Sequence, residues 1–201
     1  MASKSIILCA IDIETSGPKL IKNGILSIGI CAGSVTGAIL VKQRFDLKLD
    51  EGQEYDKECY DNFWKKNLNV LDEIKKNAVP PEEAMTKFMK IIDSLDEKYQ
   101  LIIISDCATF DIGFINYYLS KYLDRKPLTY NIKGEFRPVY DTDCYSRGAV
   151  GASYRNIYTD DTKVMKILRF TVSRVGTAHM PEDDAEYIYN MHRMVLIKNM
   201  K

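Results

Sequence analysis

Residues Ser5 to Ile13 run almost without a polar break through Ile6, Ile7, Leu8, Cys9, Ala10 and Ile11, and the run ends in Asp12-Ile13-Glu14. A short apolar run rich in Ile reads as a strand covered on both faces, which places it in the middle of a sheet. Side chains alternate across a strand, so Ile6, Leu8, Ala10, Asp12 and Glu14 share one face. Two carboxylates therefore emerge side by side at the end of a buried strand. Directly after them comes Thr15-Ser16-Gly17, where irregular backbone can open a cleft. A lone acid at such a place is usually a solvated strand end; an Asp-x-Glu pair closing a six-residue apolar run points to function instead.

The rest of the chain fills in a mixed α/β pattern. Ile25 to Ala32 and Gly37 to Leu49 are β-like runs separated by Gly33-Ser34-Val35-Thr36-Gly37, a turn signal, so the first three strands form an antiparallel meander. From Tyr60 the period becomes helical, with Trp64, Leu68, Leu71 and Ile74 on one stripe. After Pro80-Pro81 a second helix shows Met85, Phe88, Ile92 and Leu95. Leu101 to Ile104 is a further apolar strand, Asp111 to Leu123 a helix, Val139 to Thr142 a last short strand, and a helix from about Pro181 to Lys198 closes the chain. Residues 146–162 are polar and carry weak signals. With no repeat, low-complexity tract or linker, residues 1–201 read as a single domain.

Composition narrows the class. Of 201 residues, 46% are hydrophobic and 28% charged, which excludes disorder and coiled coil. Lys+Arg and Asp+Glu number 28 each, so no bulk basic field exists to hold a long stretch of phosphate backbone. The five cysteines (Cys9, Cys31, Cys59, Cys107 and Cys144) are odd in number and lack a zinc-site spacing, which fits a reducing, intracellular and cytoplasmic setting. Neither a targeting segment nor a membrane span is visible.

Further acids sit where apolar residues belong. Asp184, Ile188, Met191 and Val195 lie on one stripe of the closing helix, so Asp184 points toward the core. Its neighbours Glu182 and Asp183 have a simpler role, complementing the helix dipole in a first turn after Pro181. Asp111 opens its helix with Ile115, Leu119 and Tyr122 beneath it, a position where an acid is most often a cap. His179 precedes Asp184 by five residues, whereas His192 reads as an ordinary helical residue. Converging carboxylates repel one another unless cations share the site. Mg²⁺ is the natural cation for oxygen ligands, and two such ions suit phosphodiester cleavage with a nearby His as base.

Three segments match a family pattern. Asp12-Ile13-Glu14-Thr15-Ser16-Gly17, Phe110-Asp111-Ile112-Gly113-Phe114 and His179-x4-Asp184-Ala185 resemble, in order and spacing, the motifs of the DEDDh group of 3′–5′ exonucleases, which includes replicative proofreading subunits, ribonuclease T and oligoribonuclease. Each motif alone is weak; the three together cover about residues 5–195. The resemblance implies an RNase H-like α/β fold, a five-stranded mixed sheet with helices on both sides. It also implies that Asp12, Glu14 and Asp184 hold one Mg²⁺ and Asp12, with Asp111 directly or through water, a second, with Mn²⁺ as a substitute. His179 would be the general base, while Thr15, Ser16 and Phe110 would lie near the terminal nucleotide. For Phe110, core packing is an equal reading. Members commonly carry a polar pair such as His-Asn where this chain has Asp106-Cys107, which adds an acid near the site and leaves substrate preference open.

The expected activity is release of nucleoside 5′-monophosphates from single-stranded or frayed 3′ ends, with DNA slightly ahead of RNA. An exoribonuclease of the ribonuclease T or oligoribonuclease type is the near alternative. A non-cleaving nucleic-acid-binding module on the same fold is the alternative from another class. An aspartyl phosphatase would want Asp-x-Asp where this chain has Asp12-x-Glu14, and a P-loop is missing. Relatives often pair as homodimers, and no feature of this sequence decides that point. His179, in a loop, is expected to be movable.

Overall fold

The first apolar run forms the central strand, ten residues long and extended through Glu14 and Thr15. In the computed structural model, which describes residues 4–151 and 160–199, β1 (Ile6–Thr15) is flanked on one side by β2 (Ile25–Ser34) and on the other by β4 (Gln100–Ser105). β3 (Ile39–Asp46) and β5 (Val139–Asp141) are the edges, giving the order β3-β2-β1-β4-β5. β1–β2 and β2–β3 are antiparallel, and β1–β4 and β4–β5 are parallel. The meander and the mixed five-stranded sheet are both as the sequence implies.

Alternation along β1 decides what covers it. Ile7, Cys9, Ile11 and Ile13 belong to the large core formed with α3 (Pro81–Lys98) and α4 (Ala108–Leu123). Leu8 and Ala10 face the other way, onto Ala185, Ile188 and Tyr189 of α7 (Pro181–Asn199). Helices therefore cover both sides. At the far end of β1 the register with β2 shifts between Glu14 and Thr15. Such a bulge bends a strand and often re-aims a side chain beside a site.

Several local expectations change. The helix read from Tyr60 onward is three pieces: α1 (Lys57–Asn62), a single 3₁₀ turn (Trp64–Lys66) and α2 (Leu68–Asn77). Leu68 is 47% exposed and is not a core residue. Trp64, fully buried, donates its Nε1–H to the Thr15 carbonyl at 2.9 Å, and this tie holds the 3₁₀ turn against β1. α4 begins at Ala108, so Asp111 lies at the end of its first turn rather than at its start; Cys107 occupies the cap position. Two helices overlap the ends of the weak-signal stretch 146–162: α5 (Thr142–Ala149), capped by the Asp141 carboxylate, and α6 (Asp161–Leu168), capped by Asp160. The middle of the 146–162 stretch falls outside the described residues. No described helix is long and apolar enough to cross a membrane.

Candidate active site

The cleft forms where the C-terminal end of β1 meets the first turn of α7. Gly29 on β2 pairs with Asp12 and makes this meeting possible, because a Cβ there would fall 2.0 Å from the Pro181 backbone carbon. With no side chain in the way, the start of α7 lies directly on the sheet and brings Asp184 beside Asp12 and Glu14. Residues 177–180 are drawn onto the same turn: the Thr177 N–H donates to Asp183 Oδ2 at 2.7 Å and the His179 N–H to Asp184 Oδ2 at 3.0 Å. His179 adopts a left-handed backbone (φ +65°), which costs a non-glycine residue roughly 1–2 kcal/mol.

One ligand atom each from Glu14, His179 and Asp184 lie within 4.8 Å of one another. The His179 Nδ1 stands 3.7 Å from Glu14 Oε1, too far for a hydrogen bond, and the ring rests edge-on against Phe63 at 4.7 Å. Phe63 in turn meets Trp64 edge-on at 4.9 Å. A short aromatic chain thus links the tie at Thr15 to the imidazole. The cleft encloses about 300 Å³ and is lined by Asp12, Glu14, Asp106, Arg174, His179 and Asp184 among others.

Burial shapes the charge state. Asp12 is raised far above the usual carboxylate range by desolvation, then by Glu14 and Asp111. Glu14 is pushed up to about 8 by burial and by Asp111, and Asp111 to about 7 by burial despite its bond from Ser105 Oγ. His179 lies below its ordinary value through desolvation and the Arg174 charge. Asp12 Oδ2 and Asp184 Oδ1 are buried and accept no hydrogen bond, although Arg174 stands in ion-pair contact with the latter. Asp12 Oδ2, unpartnered among the described residues, and the carboxylate oxygens of Glu14 and Asp184 beside one imidazole suit a divalent cation that prefers oxygen ligands, so the donor set fits Mg²⁺ or Mn²⁺.

The other residues singled out from the sequence are placed differently. Asp111 is buried behind the cleft wall, held by Ser105, and acts on Asp12 and Glu14 through its charge. Thr15 Oγ1 donates to the Gly17 carbonyl, and Ser16 Oγ donates to the Glu54 carbonyl while accepting from the Gly24 N–H. Both hydroxyls shape the loop after β1 and do not line the cleft. Phe110 packs on Phe114 at 5.0 Å against the large core, which is the packing reading. Asp106 does line the cleft, as do Asp143, Asp161, Arg174 and Tyr187, which sequence reasoning did not pick out. His192, read as ordinary, is 3% exposed, lies edge-on to Tyr145 at 5.0 Å, and burial lowers it to about 4.

The mixed five-stranded sheet with helices on both faces is an RNase H-like fold, the fold that the resemblance of the three sequence motifs implies. Comparison with known proteins agrees. The chain is 30% identical over 126 residues to the 3′-5′ DNA exonuclease Cap18 of Escherichia coli, an alignment covering 60% of this chain and 61% of that protein. Among solved structures it superposes on a full-length 3′-exonuclease with a TM-score of 0.67 and 14% identity, over 98% of this chain and 63% of that one. It superposes on the zinc-bound complex of E. coli exonuclease I with single-stranded DNA with a TM-score of 0.70 and 10% identity, over 96% of this chain and 41% of that one. On S. pombe Pop2p in its Mg²⁺- and Mn²⁺-bound form the TM-score is 0.63 at 13% identity, over 92% and 81% of the two chains. This chain therefore spans about three fifths of the curated relative's length. No family model matches it.

Proposed function

We propose that this chain is a divalent-metal-dependent 3′–5′ exonuclease that removes nucleoside 5′-monophosphates from single-stranded or frayed 3′ ends, with DNA the preferred substrate. The observation behind this reading is the convergence of Asp12, Glu14, Asp184 and His179 on one cleft, with two buried carboxylate oxygens left without hydrogen bonds. A curated relative named as a DNA exonuclease, and a structural neighbour in complex with single-stranded DNA, support the direction and the lean to DNA. Neither the described residues nor the comparisons support a homodimer.

Asp12, Glu14 and Asp184 would hold one divalent ion, and Asp12, with Asp111 directly or through water, a second. Bound there, such ions supply positive charge for the scissile phosphate and a water acidic enough to ionise near neutral pH. The chain's own contribution is positional. The His179 N–H holds Asp184 Oδ2, and the alternation along β1 puts the Glu14 side chain on the same face as Asp12. The half-exposed imidazole, leaning on Phe63, is free to take a proton from water entering the cleft. One unpaired terminal nucleotide is what a cleft of about 300 Å³ can receive.

The test is release of mononucleotides from 3′-labelled single-stranded DNA, matched RNA and duplex in Mg²⁺ or Mn²⁺. Asp12→Ala and Asp184→Ala should abolish it while circular dichroism shows a folded chain. Undiminished release by purified Asp12→Ala protein overturns the assignment, and faster cleavage of the RNA overturns the lean to DNA.

A further inference from the structure

Six carboxylate residues line the cleft, and among the described lining residues Arg174 is the one Lys or Arg. Its guanidinium is in ion-pair contact with Asp184 Oδ1 and lies 4.9 Å from the centre of the Tyr187 ring. Tyr187 follows Asp184 by three positions on α7, so the carboxylate and the ring stand on the same side of the helix and the guanidinium spans them. The Arg174 side chain is 41% exposed, and residues 170–176 contain no helix or strand. Among the described residues, its side chain meets the Asp184 carboxylate and the Tyr187 ring.

The two oxygens of Asp184 have different occupations. Oδ2 accepts from the His179 N–H, whereas Oδ1 accepts no hydrogen bond and faces Arg174. Oδ1 is thus the oxygen left for a cation, and in this structure the cation is a guanidinium. We propose that Arg174 is a built-in counter-cation that gives up Asp184 to the divalent metal and then, from its seat on Tyr187, binds a phosphate of the substrate strand.

The inference rests on the exonuclease reading and adds a binding residue to it. Two cations cannot share one carboxylate oxygen in a desolvated cleft without strong repulsion, so pairing with Arg174 and occupation by a metal compete. Before the metal arrives the guanidinium, paired with Asp184, offsets part of the negative charge in the cleft. Once displaced, it keeps the Tyr187 face as an anchor. Its planar fork of donors then matches phosphate oxygens better than an ammonium would.

Arg174→Gln separates the two roles, because the metal and the substrate should respond in opposite directions. Titration calorimetry with Mn²⁺ alone should show the variant binding the ion about 5- to 10-fold more tightly than the wild type, within the usual range for coupled sites. With a single-stranded DNA oligomer, its KM should rise about tenfold and the slope of log KM against log salt should fall by about one, as for loss of one phosphate contact. Arg174→Lys, which keeps the charge, should recover most of the KM. A merely structural role would weaken both affinities together. Equal or weaker Mn²⁺ binding by Arg174→Gln, or an unchanged KM, overturns the proposal. A wild-type chain that binds Mn²⁺ but cleaves nothing sinks the exonuclease reading while the calorimetry still judges the competition for Asp184; one that binds no Mn²⁺ sinks both.

Discussion

Gly29→Ala should cost far more activity than stability, although Gly29 touches no substrate. An added Cβ would lie 2.0 Å from the Pro181 carbon, 2.1 Å from its carbonyl oxygen and 2.3 Å from the Glu182 nitrogen. All three are backbone atoms, so no rotamer change relieves the overlap. Ordinary contact begins near 3.4 Å, and the start of α7 must therefore retreat by about 1.4 Å, the difference between 3.4 and 2.0 Å. Asp184 lies two residues beyond Glu182 in that same first turn, so its carboxylate moves with the helix. Misplacing a reacting group by about 1 Å costs on the order of 10²-fold in rate. Overpacking costs about 1–3 kcal/mol, which for a chain of this size lowers the Tm by about 2–12 °C.

The assay is mononucleotide release together with Mn²⁺ titration on a chain shown by circular dichroism to be folded at the assay temperature. Both kcat and Mn²⁺ affinity should drop. Gly113→Ala is the matched control, since Gly113 sits inside α4 with nothing within 4 Å of an added Cβ. That change should stabilise by about 0.5–1 kcal/mol and leave cleavage alone. Wild-type turnover and metal affinity in Gly29→Ala would refute the idea that this close approach positions Asp184.

Trp64→Phe should destabilise by about 1–3 kcal/mol in denaturant unfolding, because it leaves the buried Thr15 carbonyl without its donor; a loss below about 0.5 kcal/mol would show that the tie is dispensable. Metal-free stability should fall as pH rises from 7.0 to 8.5. Glu14 keeps its proton up to about 8 and Asp111 up to about 7 in the folded chain, against about 4 when unfolded, so the folded state holds the extra protons and loses stability as they leave. His192, lowered to about 4, pulls the other way only below its unfolded value of about 6.5. Melts in chelator at the two pH values check this, Mn²⁺ should restore the loss, and a flat metal-free Tm counts against it. His179→Ala should slow cleavage by about 10²- to 10⁴-fold. The wild-type rate should decline as pH drops beneath the ordinary value of the imidazole, since burial and Arg174 hold it below 6.5; a level profile from pH 5 to 7 argues against the role as base.

Much of the cleft was legible in the sequence because its acids interrupt apolar periodicities. Asp12 and Glu14 share the strand face of Leu8 and Ala10, and Asp184 shares the stripe of Ile188, so each is aimed at the interior by the pattern that buries its neighbours. What stayed hidden depends on partners far away in the chain. Gly29 is a glycine inside a buried strand, a signal for close backbone approach, yet only the fold reveals that Pro181 is what approaches. Thr15 and Ser16 stand beside the motif acids, but their hydroxyls are consumed by Gly17, Gly24 and Glu54. Arg174 lies in a stretch without periodicity, and its meaning comes from Tyr187 and Asp184 on α7.

The balance of charge leads to one more measurable consequence. The whole chain has 28 bases against 28 acids, while among the described residues lining the cleft one arginine stands against six carboxylates. On the exonuclease reading, the attraction for a strand end at the cleft comes from the cations bound there and from Arg174. Salt dependence counts the phosphates that a protein neutralises, with a slope near −0.9 per contact on duplex and about −0.7 on single strands. At saturating Mn²⁺, one or two contacts on a single strand predict a log–log slope of kcat/KM against monovalent salt of about −0.7 to −1.4. A binder with a basic groove would give a slope several times steeper. Measuring the slope on single-stranded DNA between 50 and 300 mM salt, about the range over which such slopes are read, decides between them. A value near −5 would mean that a basic surface outside the cleft holds the strand, and the view of recognition confined to one terminal nucleotide would fail.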